Sequence, residues 1–412
     1  MFVVPDTREE PIPIRRAEGG GPPEPAAGIG ETAATQPAGA LAGIVVYCSA
    51  GHGFGANAAE TAWVPERPLV YAVNEDLGNI DQLNYFAESA WKAGATVVPF
   101  RPVGYQTNEV VLDNVDTNLT AAGQVSFGGT WANTAQTSFY YGAAGAVGYR
   151  YAMVSPTGTA AWAVYRPNLP AAGYYPVYTW VRSGSDRANQ LYRIYHSGGV
   201  TDVRVDHTQV GLGWVWLGNF HFNAGTNGSV NLSNHDPAGT TNDVVIADAI
   251  RFGNGMGSTV RGSAGLSGFE SELESSRFWT IKSMGVGFAA SLYDLAGYDD
   301  REDNIGQPAR MAVNMCRTNG WPRWRRLYVG FHSNAGSGTA RGVRALGDSR
   351  LQTNAAYAAF YQGQTNLGMR MARRVQTNLL AGVAAGRIPS WTATFRATTY
   401  NTNYGEIYNS YN

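Results

Sequence analysis

The chain has 412 residues, a length that suits two or three domains. A formal net charge of -1, with only 15% of residues charged, excludes the basic footprint of a nucleic-acid binder or of a protein drawn to an anionic membrane surface. No apolar run approaches the length needed to cross a bilayer.

Residues 1–42 read as a linker, because PIPIRRAEGGGPPEPAAGIGETAATQPAG is rich in Pro, Gly and Ala and offers little to bury. No charged-then-apolar leader precedes it, so either the mature chain starts here or upstream sequence is missing. LAGIVVYCSA then predicts a buried strand at about 41–48, and His52 follows between two glycines in AGHGFG. From Glu75 to Trp91 the apolar residues Leu77, Ile80, Leu83, Ala87, Ala90 and Trp91 recur at helical spacing, with Gly94 as C-cap. ATVVPF at 95–100 predicts a second strand. A right-handed strand–helix–strand unit puts His52 beyond the carboxyl end of the first strand, the edge where open α/β sheets gather their ligands.

After about residue 118 the pattern changes to short alternating runs broken by turn signals. YYPVYTWV, LYRIYHSGG, VTDVRVDHT, WVWLGNFHF, GSVNLSN and DVVIADAIRFG each predict a strand, in the rhythm of an antiparallel sandwich. From about 270 helical and strand patterns return: 304–316 is helix-like, RLYVGF at 326–331 is a strand ending at His332, and Leu367, Met371, Val375 and Leu379 mark an amphipathic helix with Arg370, Arg373 and Arg374 on its other side. The organisation expected is therefore 1–42 linker, 43–118 first α/β part, 119–260 inserted β-sandwich, and 261–412 second α/β part.

Two of the six histidines, His52 and His332, end strands of the α/β parts, and Glu75 opens the first helix. Two imidazoles and a carboxylate make a three-ligand catalytic zinc set with a fourth position for water. The same residues also suit a turn histidine and an acid that favours a helix dipole. His196, His207, His221 and His235 lie in the sandwich, where surface or sheet-pairing roles are expected. Of the sandwich tryptophans Trp131, Trp162, Trp180, Trp214 and Trp216, Trp180 is expected in the core, and Trp214 and Trp216 share one face. A sugar-binding role would turn some of the five outward as stacking platforms. DHTQ at 206–209 has no evident metal-binding partners. Cys48 and Cys316 form no disulfide framework; one bridge stays open beside the expectation of two buried free thiols.

Three segments carry a resemblance. IVVYCSAGHGFG, NEDLGNIDQLNYFAESAWKAGATVVPFRP and DNIGQPARMAVNMC…LYVGFHSNAG resemble, in order, motifs of the zinc-dependent N-acetylmuramoyl-L-alanine amidases of the amidase type 3 family. The resemblance covers roughly 43–115 and 290–400. By position it implies that His52, Glu75 and His332 ligate Zn2+, with Asn334 and Ala335 matching the residues after the last ligand. Asn74 and Asp76 flank Glu75, but counting back from Gly94 selects Glu75. It also implies cleavage of the glycan–peptide amide of peptidoglycan or action on another cell-envelope glycan, and an extracytoplasmic or secreted location. The departure is the tail TTYNTNYGEIYNSYN, which lacks the family's last apolar strand. Two expectations follow for the acid/base. Either Glu406, the only carboxylate of the tail, serves in a divergent setting, or the glutamate and its strand lie beyond Asn412. In the second case the sequence is truncated at both ends, binding metal with little turnover.

The stretch 122–255 resembles the golvesin C-terminal or xanthan-lyase carbohydrate-binding-like domain, on AVYRPNLPAAGYYPVYTWVRSGSDRANQLYRIYHSGG, GWVWLGNFHFNAGTNGSVNLSN and VVIADAIRF. The architecture expected is thus an α/β amidase domain, with a mainly parallel sheet flanked by helices, interrupted by an all-β jelly-roll-like sandwich. The alternative is a non-catalytic glycan-binding or adhesion module on a degenerate amidase scaffold.

Overall fold

The computed structural model describes residues 33–67, 75–317, 325–332, 342–347 and 396–401, with isolated positions between 374 and 385. Each of the six runs quoted for the sandwich segment contains a strand, and the helices are α1, Glu75–Lys92, α2, Ser276–Ser283, and α3, Asp300–Met315. α3 begins earlier than the 304–316 expected. Asp299 caps it by accepting from the Glu302 amide at 2.9 Å, while the Glu302 carboxylate accepts from the Asp299 amide at 3.2 Å. The amphipathic pattern from Leu367 to Leu379 lies almost wholly outside the described residues.

A seven-stranded sheet carries the molecule, in the order Arg326–Phe331, Val45–Ala50, Thr96–Pro99, Trp214–Phe222, Gly173–Trp180, Ala249–Phe252 and Val110–Asp113. The first three run parallel, and the crossover from Val45–Ala50 to Thr96–Pro99 passes through α1. From Thr96–Pro99 onward every pairing is antiparallel, starting where Trp216 sits opposite Val97. A six-stranded sheet faces this one, in the order Ala33–Thr35, Gly199–Asp206, Asn189–His196, Ser229–Ser233, Trp162–Pro167 and Gly123–Gly128.

The expected α/β domain with a mainly parallel, helix-flanked sheet is therefore corrected. Among the described residues there are twenty strands and three α-helices, and the sheets are largely antiparallel or mixed. The physical reason lies at the edge of Thr96–Pro99. An open strand edge is a row of unpaired amides and carbonyls. Here the nine-residue strand Trp214–Phe222 closes that edge, so the parallel strands and the sandwich segment share one sheet.

One face of the shared sheet packs on the six-stranded sheet. Tyr165, Tyr192, Ile194, Val203 and Val230 interdigitate there with Tyr175, Val177, Leu217, Phe222 and Ile250. The other face is covered by α1, which seats Ile80, Leu83, Ala87 and Ala90 on Val46, Cys48, Ala50 and Val97. Burial of Ile80 and Leu83 contributes roughly 1.5–3 kcal/mol each. Trp180, Trp214 and Trp216 are buried in this second layer, as expected for Trp180 and for a shared fate of the other two. The Trp180 and Trp214 indoles donate to the Ser283 and Lys282 carbonyls, each at 2.9 Å, and so satisfy acceptors at the end of α2 that would otherwise lack partners. Cys48 and Cys316 are free thiols.

Candidate metal centre at the strand ends and an aromatic sheet face

Val45–Ala50 and Arg326–Phe331 are parallel neighbours with Phe331 opposite Ala50, so the residues that follow them leave the sheet side by side. The Gly51 amide donates to the Phe331 carbonyl at 2.8 Å. His52 and His332 thereby meet at one sheet edge, with ring centroids 5.0 Å apart. Glu75, the first residue of α1, brings its carboxylate to the same edge.

His52 holds φ +77°, a left-handed conformation uncommon for any residue but glycine. The turn is held by all three of its carbonyls. Gly51 accepts from Asn79 Nδ2 at 3.1 Å and from Arg101 Nη1 at 3.4 Å. His52 accepts from Asn304 Nδ2 at 3.0 Å, and Gly53 accepts from the Glu66 amide at 2.9 Å. Asn79 comes from α1 and Asn304 from α3, so helices on two sides fix the histidine. The glycines have separate reasons. A Cβ on Gly51 would lie 2.1 Å from His332 Cε1, and one on Gly53, at φ +104°, would lie 2.6 Å from the Ser275 amide nitrogen.

The potential ligand atoms form a triangle. His52 Nε2 is 3.3 Å from His332 Nδ1 and 3.6 Å from Glu75 Oε1, and the third edge, His332 Nδ1 to Glu75 Oε1, is 3.9 Å. Ligands about 2.0–2.1 Å from one tetrahedral ion stand about 3.3–3.4 Å apart. The two edges at His52 are therefore within a few tenths of an ångström of what such an ion requires, and the third is about half an ångström longer, a gap that a small turn of the part-exposed His332 side chain closes. Among the described residues, this is the group of His, Cys, Asp or Glu side chains close enough to share an ion. Burial first, then His332, Arg67, Arg101 and Arg301, lower the His52 pKa to about 3. Its imidazole is thus neutral at ordinary pH and has a lone pair to give. Asn334 and Ala335 lie outside the described residues, as does the whole tail from Thr402 to Asn412 with Glu406 in it. The two expectations for the acid/base, Glu406 or a glutamate beyond Asn412, therefore gain no support from the described geometry.

The sequence reading missed what surrounds the three. Arg67 Nε donates to His52 Nε2 at 3.0 Å. Asn79 is one helical turn beyond Glu75, a spacing that signals a shared face. Nothing local announces Asn304 or Glu66. Asn304 Nδ2 also donates to Glu66 Oε2 at 2.7 Å, and burial raises the Glu66 pKa to about 8. His207 departs from the surface or pairing role expected: it is fully buried, with Nε2 2.7 Å from the Tyr192 hydroxyl and Nδ1 3.0 Å from the Val210 carbonyl. The carboxylate of DHTQ is spent on its own turn, Asp206 accepting from Thr208 and Gln209.

The sandwich presents a second surface. Along Trp162–Pro167, Ala163 and Tyr165 point into the core, which leaves Trp162, 42% exposed, on the outer face of the six-stranded sheet. Its indole lies over Gly128 on the next strand, where a Cβ would come within 2.2 Å of the ring. Glycine there lets the indole lie close against the neighbouring strand while much of the side chain stays exposed. Beside it are Ser233, directly across the other strand pair, and then Asn231, opposite both Val164 and Arg193. Arg193 makes a two-pronged pair with Asp202, at 2.8 Å for each bond. A part-exposed indole bordered by hydroxyl, amide and guanidinium groups is the chemistry that can hold sugar rings, by their C–H faces and their hydroxyls.

The class defined by this architecture is a two-sheet β-sandwich whose larger sheet also carries the three parallel strands of the candidate metal centre. More particularly, residues 110–254 match the family described as Golvesin C-terminal domain. A xanthan lyase from Bacillus sp. (strain GL1) is 32% identical over 155 residues, which are 37% of this chain and 16% of that protein. The chain thus spans about a sixth of the curated relative's length. Among solved structures, a Paenibacillus xanthan lyase shares 28% identity at a TM-score of 0.30, covering 36% of this chain and 13% of the other. A Podospora anserina GH26-CBM35 β-(1,4)-mannanase shares 16% identity at a TM-score of 0.22, covering 36% and 28%. The family match lies between the segments that bear His52, Glu75 and His332, and the amidase resemblance drew no family match. No helix among the described residues is long and apolar enough to cross a membrane.

Proposed function

We propose that this chain binds a cell-envelope or extracellular polysaccharide through its sandwich segment and works outside the cytoplasm. The observation that carries this reading is the match over residues 110–254, together with a relative named for its action on xanthan. The Trp162 face supplies the chemistry. In a pull-down on insoluble or immobilised polysaccharides, xanthan and peptidoglycan among them, the wild-type chain is retained. Trp162→Ala loses at least ~5-fold in affinity, the worth of one aromatic platform. Undiminished retention of the variant removes Trp162 from the site; no retention of wild type on any glycan removes the reading.

A second reading is favoured by the ligand triangle: a zinc hydrolase acting on an amide of such a glycan, the glycan–peptide amide of peptidoglycan first. His52, Glu75 and His332 would hold the ion. Bound zinc supplies a Lewis acid and a water acidic enough to deprotonate near neutral pH. The chain itself contributes the neutral His52 imidazole, the carbonyl clamps that fix its ring, and one exposed side at His332, whose side chain is 33% accessible. Metal analysis of the purified chain should return about one zinc per molecule, and chelation should lower its melting temperature. A metal-free protein whose stability ignores both chelator and added zinc rules the centre out.

A further inference from the structure

The geometry points to Arg67 as a built-in competitor that sets the metal affinity of the centre. This inference rests on the second reading above. Arg67 Nε donates to His52 Nε2 at 3.0 Å, and the same nitrogen is 3.9 Å from Glu75 Oε2. The guanidinium therefore meets two members of the triangle at once, bringing a positive charge to the place where a cation would sit. A neutral imidazole nitrogen has one lone pair. If His52 Nε2 spends it on the Arg67 N–H, it cannot spend it on a metal, so the two states exclude each other. Charge adds to the exclusion, because a divalent ion at the triangle repels a guanidinium held within hydrogen-bond reach of its ligand. The way out is open: the Arg67 side chain is 44% accessible, against 17% for Glu75 and 10% for His52. Metal entry then needs only a side-chain swing into water while the clamped His52 turn stays in place.

The test uses the full chain, stripped with chelator, and measures zinc affinity by competition with a chromophoric chelator and cobalt(II) affinity by its visible absorption. Arg67→Ala should bind both metals at least ~10-fold tighter than wild type, and Arg67→Met should behave likewise. Arg67→Lys, which keeps the charge but loses the guanidinium's fixed geometry, should fall between. Melting temperature provides a second readout. The metal-free alanine variant should be no more stable than wild type, yet gain more on adding zinc. A residue that merely props the site would show the reverse, weaker binding on removal. If wild type binds zinc and Arg67→Ala binds it equally or less tightly, the competitor role is overturned and the centre stands. If neither chain takes up zinc or cobalt, the centre and the competitor fall together.

Discussion

Arg101→Met should destabilise the chain by about 3–5 kcal/mol, the usual cost of removing one partner from a buried charge cluster. Arg101 is completely buried. Its Nε and Nη2 donate to the Glu272 carbonyl, and its Nη1 reaches the carbonyls of Ala50 and Gly51. It is also the positive charge that pulls the Asp76 carboxyl down against the upward push of burial, and it acts in the same direction on Glu66. Methionine fills much of the volume and supplies none of the donors. The loss would therefore come from the Glu272 carbonyl, which loses both its Arg101 donors, and from an uncompensated acid, not from a cavity. Arg101→Lys should recover less than half, since a single ammonium cannot fork to carbonyls on two segments. Urea denaturation at neutral pH measures both. A loss below about 1 kcal/mol for the methionine variant would mean that Asp76 is neutralised by protonation and that Arg101 is dispensable.

Arg101 also marks how far the sequence could be read. The strand ends were legible because their signals are local: a β-branched run, a Gly-His-Gly stop, a second strand stopping at His332. Glu75 was legible as an acid opening the first helix, and its choice over Asn74 and Asp76 came from the amidase resemblance counted back from Gly94, whose φ of +93° fits a C-cap. The structure brings those three side chains together although His52 and His332 are 280 residues apart, because parallel pairing in register does the alignment. What stayed hidden was not local. Val97 and Trp216 each looked like the interior of a different sheet, and no periodicity in either strand says which neighbour closes an edge. Hence the helix-flanked parallel sheet that was expected gave way to a mixed one. The clamps on the His52 turn were hidden for the same reason. Asn304 and Arg101 are ordinary polar residues in sequence, and only α3 and the end of Thr96–Pro99 bring them under the carbonyls of residues 51 and 52. Trp162 was one of five similar tryptophans. Its outward place follows from strand phase and from Gly128 on the adjacent strand, a pairing that the sequence does not announce.

Gly51→Ala should cost the centre its metal while leaving the fold intact, with zinc affinity falling roughly 100-fold or more, about 2.7 kcal/mol. Gly51 is not in a left-handed conformation, so alanine introduces no backbone strain there. The conflict is confined to one side chain. The new methyl would stand 2.1 Å from Cε1, 2.3 Å from Nδ1 and 2.8 Å from Nε2 of His332, distances that no repacking by tenths of an ångström relieves. His332 is a third accessible and sits at the open side of the centre, so its ring can turn outward into water. That movement takes Nδ1 out of the triangle and leaves His52 and Glu75, two ligands where a bound zinc needs three from the protein. The metal-free melting temperature should therefore shift by only a few degrees, the scale of a change near 1 kcal/mol. A double-mutant cycle isolates the cause. If alanine at 51 acts only by displacing His332, then His332→Ala should lose as much zinc affinity, and the double variant should lose no more than either alone. Full additivity would instead assign the loss to the His52 turn, and unchanged zinc binding in Gly51→Ala would remove His332 from the ligand set.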